Sequence, residues 1–569
     1  MIICGIKLTH DGAVALIENG ELKFCVEMEK IQNNPRYSEI TDSAIIGKIL
    51  NDNGYFLKDV DCFAIDGWAG LTDSFIKTKN QGEDYIIQVA PYREKTRSEN
   101  LLTQFYFNGL KISDEVLQYE SYFHVTNHIT SAYCTSPFAA KGESSFVLVW
   151  DGGMFPRLYY YDYNNKTIQS LGKLFYLMGN IYSEFSQYFN PFKKEKPVTG
   201  ESLSVAGKLM AYIAKGKVNE LILKDFEFVL ENHLELSLKF SDKFATKFIE
   251  ISSGKNYRDE DILASFHVFL QNKLIEGLND KIKGSHRGSS NLCFVGGCAL
   301  NIKWNSAIRE SGLFKQMWVP PFPNDSGSAI GAACSAWMVH TGQVNLKWNV
   351  YSGPSFINNE SATGWLRFEC KINELARFID QVNEPIVLLN GRAELGPRAL
   401  GNRSIISAAT DRNCKSKLNH IKQREDYRPI APICIEELAP MIFEPGSPDP
   451  YMLYDHQVKD EWIDKIPVIC HLDGTARLQT VSLADNPTLY QLLCDYYNIT
   501  GIPVLSNTSA NLNGTGFFPN LSSVMEWGKV NYIWSDNVLY AHPAYELFLD
   551  NLKRIDHVAD SQPAAIIKF

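Results

Sequence analysis

Apolar runs separated by turn residues begin at the first residue of the chain. Residues 2–26 read as three strands, IICGI, GAVALIE and LKFCV, and the Asn19-Gly20 pair between the last two is a hairpin signal. Continuous apolar runs at FVLVW (146–150), LCFV (292–295) and PIVLLN (385–390), with another at 404–408, have the length and composition of buried strands. Residues 201–283 carry a lysine-rich helical pattern. A small-residue helix is expected from near Ser326, and a further helix lies in the stretch that ends REDYRPIAP. Strands and helices mixed in this way predict α/β and α+β architecture. The tail beyond Val558 is expected to be loosely held.

Length then changes the picture from one core to two. A chain of 569 residues exceeds what a single core supports. The turn-rich stretch at 345–380 suggests a division into residues 1–350 and 351–569. The balance of charge, -10 overall, argues against nucleic acid or an anionic membrane surface as partner. No run approaches the roughly 20 apolar residues of a membrane span. The N-terminus turns polar too early for a signal sequence, and the twelve cysteines contain no CxxC pair. Reduced thiols in a cytoplasmic protein are therefore expected.

Candidate chemistry gathers at several places. In GRAELGPRALGNRS (391–404), glycines surround Arg398 and Arg403, and Lys422, Arg424 and Arg428 follow, a concentration of cations suited to a compact anion. Arginines paired with carboxylates on a solvated face are the alternative. The Asn507-Thr508-Ser509 turn suits a phosphate or carbamoyl group, or is a simple Asx/ST turn. His124 and His128 share a helical face. With Asp151 at the end of a buried strand and Asp325 before a helix they make an N/O donor set for iron, manganese or zinc, although Asp325 alone reads as a helix N-cap. Gly296-Gly297 follows a strand in the manner of a nucleotide turn, and Gly207-Lys208 is a second glycine site of that kind. His10 and Asp11 lie in a turn of the kind that faces the phosphates in actin-type ATPases, or in an ordinary Asp-Gly turn. Lys30 and Arg36 either shape a substrate mouth or belong to a surface loop.

The motifs HDGAVAL, HxxxH, VLVWDGG, GGCALN, NDSGSAIGAA, GRAELGPRALGNRS, REDYRPIAP, HLDGTARLQTV and GIPVLSNTS, in this order from residue 10 to about 510, resemble the NodU/CmcH-type O-carbamoyltransferases. That resemblance implies an N-terminal actin-like, threonylcarbamoyl-transferase-like domain and a C-terminal YrdC-like domain. It implies that carbamoyl phosphate and ATP (with Mg) form carbamoyl-adenylate among Arg398, Arg403, Lys422, Arg424, Arg428, Arg477 and Asn507 to Ser509. In the N-terminal domain, Gly207, Lys208, Gly296, Gly297, Cys298, Asn301, Ser326 and Gly327 would hold the nucleotide. A metal, iron first, would sit on His124, His128, Asp151 and Asp325. His10, with Asp11, would deprotonate a small hydroxylated acceptor, and Lys30 would border its mouth. A homodimer is the assembly to test for.

Two stretches depart from the family pattern: the one near Lys30, which lacks an EERL-type sequence, and ANLNGTGFFPN after Ser509, which replaces an FN…GEPIV-like run. They suggest a specialised acceptor, and the chain resembles the branch acting on saxitoxin-type toxins. The rival readings are a hydrogenase-maturation or tRNA threonylcarbamoylation enzyme and a catalytically silent nucleotide-binding regulator. The first normally carries CxxC zinc fingers and an acylphosphatase domain, neither of which is present.

Overall fold

The three N-terminal strands form an antiparallel meander, Ile2–Lys7, Ala13–Glu18 and Glu21–Glu27, turning at Asn19-Gly20. The Ile2–Lys7 strand also pairs in parallel with Cys62–Asp66, which pairs in parallel with Glu115–Tyr122. In the computed structural model, which describes residues 1–72, 74–197, 203–233, 240–284, 287–357, 364–549 and 552–555, the same plan recurs. There Ser145–Val149, Arg157–Asp162 and Thr167–Lys173 make the meander, and Asn291–Val295 and Gln316–Trp318 add in parallel. Strand order 3-2-1-4-5 is thus used twice. No sequence repeat announces it, because a shared topology needs only the same spacing of apolar runs. The expected loose tail beyond Val558 lies outside the described residues.

Two helices fill the space between these sheets. His124–Cys134 packs on the second sheet and Ser328–Thr341 on the first, and they pack on each other. Both are buried almost throughout, which explains the small residues SAIGAACSA: a Cβ on Gly331 would collide with the Asn127 carbonyl. The helical middle is realised as Leu203–Tyr212, Glu220–Asn232, Phe240–Ser252 and Asp259–Lys283, built on a phenylalanine-rich core with Phe185, Phe226, Phe248 and Phe266.

A third sheet of eight strands is assembled from Leu366–Glu369 through Val538–Ala541, with both parallel and antiparallel neighbours. The fold is mixed α/β. The antiparallel strands Ile386–Leu389 and Arg403–Ala408 bracket the 391–402 loop. That loop is organised from inside by Glu394, whose buried carboxylate accepts backbone N–H groups of Leu400 (2.7 Å), Asn402 (2.8 Å) and Arg403 (3.1 Å). Glu394→Ala leaves three buried donors without a partner, so a loss of about 3 kcal/mol or more and a clear fall in Tm are expected by calorimetry. A melting temperature unchanged from wild type would refute this role.

Candidate active site

The ends of the central strands of both duplicated sheets meet at one place. Asp66 closes its strand in the first sheet, Asp151 follows Trp150 in the second, and the helix pair contributes His124, His128 and the approach to Asp325. One donor atom from each of His124, His128, Asp151 and Asp325 lies within 4.8 Å of the others. The His124 and His128 Nε2 atoms are 3.1 Å apart, and Asp325 Oδ1 is 3.5 Å and 3.3 Å from them. Asp325 makes no N-cap hydrogen bond, so the capping alternative falls.

The surrounding shell sets the orientation of these donors. His124 Nδ1–H donates to Asp66 (2.8 Å), which leaves the Nε2 lone pair facing the cluster, the carboxylate–imidazole arrangement found behind metal ligands. Asn127 (2.7 Å) and Lys7 (2.9 Å) also donate to Asp66, and Lys7 spans to Asp325 at 2.9 Å. Burial raises the Asp66 pKa, but His124, Lys7 and Asn127 outweigh it and hold the carboxyl at about 2. Tyr92 Oη–H (2.7 Å) and the Gly297 N–H (2.9 Å) donate to the two oxygens of Asp151. Two imidazoles and the Asp151 and Asp325 carboxylates converge here beside Asp66, and the single Lys7 ammonium offsets only part of the negative charge, so the donor set fits a metal. Asp66→Ala is expected to lower metal affinity about 10–100-fold with the fold intact, measured by competition against a chelating dye. Unchanged affinity would rule out the supporting role.

His10 stands at the solvent edge of this centre with 42% of its side chain exposed; its Nε2 is 3.5 Å from Asp325 Oδ2 and its Nδ1 3.3 Å from Asp11. Asp11 adopts φ 56, and its N–H donates to the Tyr37 carbonyl. The HDG turn therefore takes a left-handed backbone that a non-glycine residue adopts only under tertiary constraint.

A second centre lies where the 203–212 helix and the start of the Ile302–Glu310 helix meet the third sheet. The cavity, about 120 Å³, is lined by five arginines: Arg36, Arg398, Arg424, Arg428 and Arg477. Burial depresses Arg398 to about 10 and Arg424 to about 9, with the neighbouring guanidiniums acting in the same direction, and burial also pulls Arg477 well down. The Nε groups of Arg398 and Arg477 are buried without a partner. Arg428 has Glu425 Oε2 at 3.8 Å, and the other oxygen of that carboxylate, Oε1, is 2.8 Å from Lys208 Nζ. Buried cations with unspent donors mark a place for an anion.

Residues 2–334 match the family model described as carbamoyltransferase N-terminus, and residues 379–540 the one described as carbamoyltransferase C-terminus. The chain belongs to the carbamoyltransferase family. It is 48% identical to nodulation protein U of Rhizobium tropici, over 95% of this chain and 96% of that one. It is 47% identical to nodulation protein U of Sinorhizobium fredii, over 96% and 100%. It is 30% identical to the 3'-hydroxymethylcephem-O-carbamoyltransferase of Streptomyces clavuligerus, over 93% and 97%.

In this carbamoyltransferase the residues singled out from sequence fall into three groups. Arg398, Arg424, Arg428, Arg477, Asn507, Thr508 and Ser509 all line the cationic cavity, and so does Gly207. Gly207 therefore faces the arginines rather than the His124–Asp325 cluster, and Lys208 pairs with Glu425 at 2.8 Å. Gly296 and Gly297 adjoin Asp151, and Ser326 and Gly327 form the buried turn behind Asp325. Asn301 caps the 302–310 helix through Trp304 N–H, and Cys298 lies against Gly179. The segment 296–301 touches both centres, since Gly297 donates to Asp151 and the Leu300 carbonyl accepts from Arg398.

Three cations are corrected. Lys30 lines no mouth: it is buried and donates to Glu27 and to the Glu394 and Gly396 carbonyls, fastening the first sheet to the 391–402 loop. Arg403 donates to the Asn390, Asn402 and Gly391 carbonyls and is spent on its own loop. Lys422 donates to the Ser509 carbonyl and to Asn511, bracing the wall behind Thr508. Arg36, by contrast, reaches the cavity. The two stretches that depart from the family pattern prove to be partners, for Arg36 N–H donates to the Gly514 carbonyl and Gly516 N–H to the Asn34 carbonyl. Lys7, Asp66 and Tyr92 were missed from sequence. Asp66 carries the same strand-end carboxylate-before-glycine signal as Asp151, whereas Lys7 gives no local signal. Among the described residues no helix is long and apolar enough to cross a membrane.

Proposed function

We propose that this carbamoyltransferase transfers a carbamoyl group to the hydroxyl of a small acceptor, using carbamoyl phosphate and ATP. The observation that carries this reading is the cavity of buried, incompletely paired arginines, whose lining includes the apolar Met210, Ala211 and Tyr427 as well as Arg398, Arg424 and Arg477. An adenine suits the apolar wall and phosphates suit the cationic one. Water hydrolyses carbamoyl phosphate there to carbamate and phosphate; the carbamate oxygen attacks the α-phosphorus of ATP (as its Mg complex) and displaces pyrophosphate; the acceptor hydroxyl then attacks the carbamoyl carbon of carbamoyl-adenylate, losing its proton and displacing AMP. The arginines hold the phosphates and offset their charge. Supporting a transfer step at the other centre is the 296–301 segment, which adjoins both. There His10 is placed to take the acceptor proton, with Asp11 orienting its ring. The metal, iron first with manganese or zinc as alternatives, polarises a phosphate or carbamoyl oxygen when bound.

The duplicated 3-2-1-4-5 topology supports reading residues 1–350 as an actin-like unit, and the eight-stranded mixed sheet supports reading 351–569 as a YrdC-like one. The test combines purified protein, ATP, carbamoyl phosphate and hydroxylated acceptors, with saxitoxin-type alcohols and hydroxymethyl cephems included, followed by mass spectrometry. Gain of one carbamoyl group on an acceptor together with AMP and pyrophosphate is expected. No ATP turnover by metal-loaded protein sinks the proposal.

A further inference from the structure

One strand and one helix of the first sheet each carry active-centre carboxylates at one end and a different cluster at the other. Cys62 opens the strand that Asp66 closes, so the two are about 13 Å apart along it. His340 lies in the last turn of the Ser328–Thr341 helix, whose opposite end follows Asp325; Ser328 and His340 are about 18 Å apart along the axis. Glu120 stands opposite Ala64 on the neighbouring parallel strand, which puts it on the same face as Cys62. The helix packs on that face. As a result Cys62 Sγ, a Glu120 carboxylate oxygen and a His340 ring nitrogen lie within 4.8 Å of one another.

We infer that Cys62, Glu120 and His340 form a second metal site, of zinc type, that staples the C-terminal end of this helix to the sheet. A thiolate, a carboxylate and a neutral imidazole offset a divalent charge completely, and the sulfur selects zinc-like ions over magnesium or calcium. Binding forms the metal–sulfur bond and releases the thiol proton to solvent; burial, with Glu120 adding to it, otherwise keeps this thiol protonated. Glu120 is oriented as a ligand carboxylate is: Tyr122 Oη–H donates to its Oε2 at 2.6 Å, leaving Oε1 to the cluster. His340 Nε2 is 2.7 Å from Oε1. Tetrahedral ligands stand about 3.3–3.8 Å apart, so side-chain shifts of about 1 Å convert the pair to coordination. His340, 30% exposed, leaves an entry path and room for a water as fourth ligand. The active centre contains two imidazoles and two carboxylates and no thiol, so the two sites differ in chemistry as well as place.

Cobalt(II) distinguishes them, because only thiolate ligation gives a near-ultraviolet sulfur-to-cobalt charge-transfer band. Titration of the full-length chain is expected to raise that band to saturation, with one thiolate-bound ion per chain beside the one in the active centre, and zinc should abolish it. His128→Ala should keep the band and Cys62→Ser should lose it. His340→Ala, at a half-exposed position that folding tolerates, should weaken cobalt binding at this site about ten-fold or more. Absence of the band in wild type overturns the site. So does its persistence in Cys62→Ser, which would move the ligation to another thiol such as Cys298 beside Asp151. Unchanged affinity in His340→Ala does the same even if the cysteine variant fails to fold.

Discussion

His128→Ala is expected to empty the active centre of metal and to lower carbamoyl transfer about a thousand-fold or more, while ATP- and carbamoyl-phosphate-dependent pyrophosphate release persists. The size follows from the several kcal/mol that a bound cation supplies to developing negative charge. His128 contributes one of the two Nε2 atoms and stands 3.3 Å from Asp325. Its loss leaves three donors and removes the geometry that His124 and Asp325 complete. The persistence of pyrophosphate release matters as much as the lost transfer. It separates a vacated centre from a misfolded chain, because the arginine cavity takes no side chain from the His124–Cys134 helix. Metal content by elemental analysis and the two half-reactions, assayed separately, make the test. Transfer within a few-fold of wild type in metal-depleted variant protein would refute the role assigned to this centre.

Arg477→Ala should fail in the opposite half. Its guanidinium is buried among Arg398, Arg424 and Arg428, and its Nε has no partner. Two charge-assisted hydrogen bonds to a phosphate, at about 1.5 kcal/mol or more each, correspond to a loss of about a hundred-fold in adenylate formation. The free protein should at the same time melt no lower than wild type, because an uncompensated buried cation opposes folding. Lysine at this position should recover only part of the activity, since it lacks the bidentate fork. The decisive pair of measurements is pyrophosphate release and thermal unfolding. A large fall in Tm with activity retained would make Arg477 a structural cation like Arg403.

The contrast between Arg477 and Arg403 shows where sequence reading stops. Both are arginines in strand-like surroundings near glycines or small residues. Arg403 turns back onto the carbonyls of Asn390, Asn402 and Gly391, and Arg477 points into the cavity. Lys30 and Lys422 are the same case: a buried ammonium is as well satisfied by loop carbonyls as by a phosphate, and only closure of the chain decides which it meets. The HxxxH pair was legible because helical periodicity alone puts both imidazoles on one face. Asp151 was legible because a carboxylate ending an apolar strand beside glycines is a local pattern. Asp66 has that pattern too and became meaningful only beside His124.

By itself the sequence determined the mixed α/β class, the strands around the active centre, the family, and the residue types from which both centres are made. These are local properties, set by apolar periodicity, turn chemistry and motif spacing. Tertiary structure alone decided that Gly207 faces arginines some two hundred positions away, that Lys7 braces Asp325 and Asp66 orients His124, and that the divergent stretches near Arg36 and after Ser509 clasp each other. It also decided that one strand plan is built twice. Burial and charge pairing are properties of the closed molecule, and no short-range pattern in the chain encodes which buried cation keeps a free donor.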